Sequence, residues 1–122
     1  MLKIVFIEDT RRPERNDEFK KVMQNLNFCG SVEFCDTTEV KVVASLEADG
    51  VICHAGMDGY NVIKHFAKKY EWPLLAYTGG YGAPPKLRST DSRGFMFSVD
   101  SKYFEEALSE FINYCVRHKI DD

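Results

Sequence analysis

The stretch Leu2-Lys3-Ile4-Val5-Phe6-Ile7-Glu8-Asp9 decides the fold class. Six residues, nearly all apolar and rich in branched side chains, stop abruptly at two carboxylates. An uninterrupted apolar run of this length suits a strand buried on both faces, which is the environment of a parallel sheet. The acidic pair then falls at the carboxyl end of that strand, where open α/β sheets form their ligand crevice. The run is also too short for a secretory signal and lacks a small-residue cleavage site.

Helical and strand patterns alternate along the rest of the chain. Phe19, Val22, Met23 and Leu26 recur at helical offsets, with Asn16 or Asp17 as candidate cap and Gly30 closing the connection. Ser31 to Cys35 alternates polar and apolar residues, as in a strand with one wetter face. Asp36-Thr37-Thr38-Glu39 is a helix-start signature, continued by Val40, Val43 and Leu46, although the valines oppose helix formation. Val51-Ile52-Cys53 reads as the third strand and His54 to Gly59 as a loop. A helix then carries Val62, Ile63, Phe66, Ala67 and Tyr70, and ends before Pro73. Leu74 to Thr78 is the fourth strand and Phe95 to Val99 the fifth. A final helix from Lys102 to His118 carries Phe104, Leu108, Phe111, Ile112 and Cys115 on one stripe, with Asp100 or Ser101 as its cap. Between the fourth and fifth strands lies a Gly/Pro-rich segment with no apolar period, read as a loop.

The order βαβαβαβ, loop, βα predicts one α/β domain over residues 1–122, a doubly wound parallel sheet of five strands with right-handed crossovers. Composition agrees with a globular chain: of 122 residues, 44% are hydrophobic and 29% charged, enough for a real core. The net charge of −3 is spread along the chain without a basic block, so nucleic acid is not an expected partner. No apolar run approaches the ~20 residues of a membrane span, so no membrane partner is expected. The four cysteines, Cys29, Cys35, Cys53 and Cys115, lack the paired spacing of a zinc site or a disulfide framework. Free, mostly buried thiols fit a reducing cytoplasm.

The sheet order places Glu8 and Asp9, His54, Thr78 and the Ser98–Asp100 stretch at one edge. Adjacent carboxylates at Glu8 and Asp9 are candidate ligands for a hard cation such as magnesium, or else an acidic loop that caps the next helix. His54 is a candidate metal ligand, proton carrier or phosphoacceptor, or else a polar residue that closes a strand against backbone. His65 and His118 read as structural or solvent-facing. The turn Thr78-Gly79-Gly80-Tyr81-Gly82 offers backbone N–H groups to an anion; equally, Gly79, Gly80, Tyr81, Gly82, Pro84 and Pro85 form a candidate partner-binding loop, in which Tyr81 and the two prolines supply apolar contacts. The missing Lys-Ser/Thr argues against a phosphate loop.

These motifs together resemble the receiver domain of bacterial two-component response regulators. The resemblance rests on Ile4-Val5-Phe6-Ile7-Glu8-Asp9, on Gly56-Met57-Asp58-Gly59 opening the third helix, and on Trp72-Pro73-Leu74-Leu75-Ala76-Tyr77-Thr78. It rests also on Asp100 with Phe104, Ala107 and Leu108 at the final helix start. It covers nearly the whole chain and implies the flavodoxin-like strand order 2-1-3-4-5, with the family's fourth helix replaced by the loop. It implies a module of two-component signalling or phosphorelay that works by protein–protein binding.

The departures from the family shape the functional expectation. Receivers carry a phosphoaccepting Asp at the end of strand three, where this chain has His54. Receivers carry Lys-Pro after strand five, where this chain has Phe97-Ser98-Val99-Asp100; Lys86 and Lys102 do not match the motif. An imidazole cannot form an aspartyl phosphate. The expectation is therefore a pseudo-receiver in the cytoplasm that binds a protein without standard Asp phosphorylation and needs no enzymatic activity. Two alternatives stand beside it. One is a small metal- or phosphate-binding enzyme or ligand-binding domain using Glu8, Asp9, His54 and Thr78. The other is an unusual receiver phosphorylated on Asp58 or His54, although Asp58 also reads as the cap of the third helix.

Overall fold

The computed structural model describes residues 1–79, 86–89 and 95–121. The elements are β1 (Leu2–Ile7), α1 (Pro13–Gln24), β2 (Gly30–Cys35), α2 (Val40–Ala44), β3 (Gly50–His54), α3 (Tyr60–Tyr70) and β4 (Leu74–Thr78). They continue with β5 (Arg88–Ser89), β6 (Met96–Asp100), a 3₁₀ turn (Ser101–Tyr103) and α4 (Phe104–Asp121). The sheet order is β2-β1-β3-β4-β6-β5. The first five of these strands pair in parallel, in the 2-1-3-4-5 order expected of the five long strands. Two-residue β5 adds an antiparallel edge, Arg88 facing Ser98 and Ser89 facing Phe97.

The continuous apolar runs divide between the two faces of the sheet because strand side chains alternate. Ile4, Phe6, Ile52, Leu75, Tyr77 and Val99 pack against Phe19 and Met23 of α1 and the Phe104–Cys115 stripe of α4. Val5, Ile7, Val51, Cys53, Leu74 and Met96 pack against Val43 of α2 and Ile63, Phe66 and Ala67 of α3. Each buried Ile, Leu, Phe or Met is worth roughly 1.5–3 kcal/mol relative to exposure. Cys35, Cys53 and Cys115 are free and buried, and Cys29 is free and exposed. Among the described residues no helix is long and apolar enough to cross a membrane.

Several boundaries differ from the sequence reading. α1 begins at Pro13, not after a cap at Asn16 or Asp17, since proline's fixed φ and missing N–H suit the first helical position. Asn16 lies inside the helix, buried, and its Nδ2 donates to the Asp9 carbonyl at 2.6 Å. Gly30 is the first residue of β2 rather than a closing turn. A Cβ there would collide with the Leu2 carbonyl oxygen, so only glycine lets the strand close up. α2 is a five-residue helix that stops short of Leu46. Asp58 does not cap α3: the residue before that helix is Gly59, at φ 86°, with no side-chain cap. Asp100 does cap the last turn-and-helix, accepting from Lys102 N at 2.9 Å. Of the segment read as a loop, residues 86–89 contain β5. Residues 80–85, which include the expected partner-binding Gly80, Tyr81, Gly82, Pro84 and Pro85, lie outside the described residues.

Candidate functional site

Parallel pairing brings the strand ends together. His54 stands beside Tyr77 in register, and Thr78 beside Asp100. β1, paired with β3 as far as Phe6 against Ile52, runs on into Glu8 and Asp9 at the same edge. The ends expected at one crevice are thus neighbours pointing the same way.

Asp9 is the centre of the site and is 2% exposed. Its carbonyl accepts from Arg12 N at 3.0 Å and from Asn16 Nδ2, which ties the β1–α1 loop into a tight turn. Its carboxylate accepts from Arg11 N at 3.1 Å and Arg11 Nε at 3.2 Å on Oδ1. On Oδ2 it meets His54 Nδ1 at 2.9 Å and Arg11 Nη2 at 3.4 Å. Burial alone would push this carboxyl up. The hydrogen bonds from Arg11 and His54 outweigh it and bring the pKa down to about 2. Asp9 is therefore ionised at neutral pH, and His54 Nδ1 carries the proton it shares with Asp9.

His54 is buried at the end of β3 and stacks on Tyr77, ring centroids 5.3 Å apart. It bonds to a carboxylate rather than to backbone. A carboxylate orienting an imidazole is the arrangement that sets up proton transfer at the far ring nitrogen. Gly56 lies over that ring: a Cβ there would stand 3.1 Å from His54 Cε1. Cys53 offers no nucleophile beside it, because it is buried in the core layer of α2 and α3. Burial pushes its thiol up, so it stays protonated.

Arg11 joins two loops. Besides Asp9, its Nη2 donates to the Gly56 carbonyl at 2.6 Å and its Nη1 lies 3.5 Å from Asp58 Oδ1. Asp58 is otherwise in solvent, its side chain 90% exposed. Glu8 turns elsewhere: its Oε1 pairs with Lys20 Nζ at 2.5 Å, and its N donates to the Cys35 carbonyl at 2.8 Å. The adjacent carboxylates thus meet different cations. Thr78 is half-buried at the tip of β4, and Gly79 comes next beside the Arg15 guanidinium.

Arg11, Arg12 and Arg15 escaped the sequence reading. Their signal was present, since two arginines come soon after the acidic pair in Glu8-Asp9-Thr10-Arg11-Arg12. A cleft of about 110 Å³ lies on the Glu8, Thr37, Thr38 and Asp58 side of Arg11. A wider one of about 430 Å³ lies on the Arg12, Arg15 and Glu18 side.

The donor set does not fit a magnesium ion as it stands. Such an ion takes about six oxygens at close to 2.1 Å, one or two from carboxylates. Glu8 is held by Lys20, and the Asp9 and Gly56 oxygens carry the Arg11 guanidinium. Among the described residues no three His, Cys, Asp or Glu side chains converge on a metal position.

No protein-family model and no curated protein matches the chain. Two solved structures do. A signal receiver domain of an HD domain-containing protein from Pseudomonas fluorescens Pf-5 aligns at TM-score 0.66 and 14% identity, over 99% of this chain and 98% of that one. A yeast Spc42 trimeric coiled-coil segment fused to another protein aligns at TM-score 0.62 and 18% identity, over 98% of this chain and 81% of that one. With its strand order and full-length superposition, the chain has the fold of a signal receiver domain.

Proposed function

We propose that this receiver-like module signals by binding a protein partner and does not undergo standard Asp phosphorylation. One observation carries the reading. The residue closing β3 beside Asp9 is a buried imidazole, His54, committed to Asp9 at 2.9 Å. A side chain there that cannot form an acyl phosphate removes the acceptor. The end of β6, Ser98-Val99-Asp100, supplies no lysine to steady a transferred group. The Arg11 guanidinium instead pairs with the carboxylates of Asp9 and Asp58 in the pocket.

The test is exposure to a small phosphoryl donor with magnesium, read by intact mass and by Trp72 fluorescence. No phosphoryl adduct is expected, and addition of beryllofluoride should leave the amide spectrum unchanged. An adduct lost in Asp58→Asn would overturn the reading in favour of a phosphorylated receiver on the exposed Asp58. The Asp9–His54 pair favours one other reading, a small acid–base or ligand-binding domain. A metal or phosphate response abolished by Asp9→Ala, with no adduct formed, would establish that instead.

A further inference from the structure

We propose that Arg11 is the resident cation of this pocket, standing on the oxygens that would otherwise hold a divalent ion, so that its removal creates a divalent-cation site. This rests on the reading of an unphosphorylated receiver-like module and deepens it. It is tested by metal binding rather than by phosphoryl transfer, so the two can fail separately.

Every nitrogen of the guanidinium is engaged with oxygen. Nε and Nη2 take the two carboxylate oxygens of Asp9 at 3.2 and 3.4 Å. Nη2 also takes the Gly56 carbonyl at 2.6 Å, and Nη1 faces the Asp58 carboxylate at 3.5 Å. Two carboxylates and one carbonyl, from the β1–α1 and β3–α3 loops, therefore converge on one positive group. That mixture of oxygens is what a hard cation selects, water completing its shell. A planar fork satisfies it because guanidinium matches carboxylate geometry with two donors.

Removing the guanidinium exposes a charge that needs a partner. Asp9 is buried, and without the Arg11 side chain its Oδ1 retains only the backbone N–H of residue 11. His54 remains on Oδ2 at 2.9 Å, and the Arg12 guanidinium stays at the edge of ion-pair range, its Nε 4.0 Å from Oδ2. A buried carboxylate that loses its bidentate cation, with only this longer pair left, gains from taking up another cation. The adjoining 110 Å³ cleft, lined also by Thr10, Thr37 and Thr38, has room for an ion and several waters.

The experiment titrates Mn²⁺ into the wild type, Arg11→Gln, Arg11→Ala and Arg11→Lys, reading paramagnetic broadening of backbone amides. In the wild type and Arg11→Lys, the amides of Asp9, Gly56 and Asp58 should broaden no more than exposed acidic surface elsewhere. Arg11→Gln and Arg11→Ala should broaden them selectively and bind Mn²⁺ at least about tenfold more tightly. Adding Asp9→Asn to Arg11→Gln should abolish the gain. If an Arg11 variant is unfolded alone, Mn²⁺ should refold it by mass action. Selective Mn²⁺ binding at Asp9 in the wild type, equal to that of Arg11→Gln, would overturn the proposal. So would folded variants that gain no site, or unfolded ones that Mn²⁺ does not rescue.

Discussion

The Asp9 carboxylate meets Arg11, Arg12 and His54 at the strand ends, and these partners set its acid behaviour. Its folded pKa of about 2 lies below the ordinary 3.8. A depressed carboxylate contributes stability that is complete above the unfolded pKa and is lost as pH falls through the folded one. The loss should therefore occur between about pH 4 and pH 2 and amount to roughly 2 kcal/mol. Urea unfolding of the wild type across this range should show that slope, and Asp9→Asn should flatten it. Equal slopes in the two proteins would mean that other carboxylates cause the acid sensitivity. Asp9→Asn should also lower stability at neutral pH, because it loosens His54 and Arg11 together.

At the level of elements, the turns into the helices carry the strictest demands. Gly59 begins α3 at φ 86°, and a Cβ there would collide with Thr38 Oγ1. Gly59→Ala combines a left-handed backbone with a clash against the loop before α2 and should cost about 2 kcal/mol or more in urea unfolding. Gly79→Ala, whose Cβ would meet only Arg15 Nη1 at 3.8 Å among the described residues, should change stability by less than about 0.5 kcal/mol. The strands were legible because period-2 packing against two helix layers demands apolar runs, and Leu2–Ile7 and Leu74–Thr78 match their reading residue for residue. Helix starts were less legible. Asn16 is a good cap by type, yet Pro13 starts α1 and frees Asn16 to brace the Asp9 carbonyl. Asp58 lost its capping role to the backbone freedom of Gly59. Two-residue β5 has no periodicity of its own and exists only through pairing with β6. Within the site, placing Glu8, Asp9, His54 and Thr78 at one edge came from topology. That Asp9 would choose Arg11 and His54, and Glu8 would choose Lys20, depended on side-chain reach, which no spacing rule encodes.

At the scale of the whole molecule, one sheet serves two cores, so damage to either face should be felt on both. Phe111 of α4 and Ile63 of α3 are fully buried on opposite faces. Either change to alanine should remove about 2–5 kcal/mol, a large part of a domain's total of about 5–15 kcal/mol. The slowest-exchanging amides of β1, β3 and β4 should lose protection in both variants, each in proportion to its own loss of stability, because the strands that carry one core carry the other. Arg11 belongs to a different level of stability. It straps the β1–α1 loop to Gly56 and Asp58 from outside both cores, with its side chain 48% exposed. Arg11→Gln should therefore accelerate exchange at Thr10, Gly56 and Met57 and leave the central strand amides near wild-type rates. If the strand amides weakened in proportion, the strap would be part of the cooperative fold rather than a local closure over the pocket. If Phe111→Ala spared the α2 and α3 face, the two cores would unfold independently, and the single sheet would not be the unit that holds the site together.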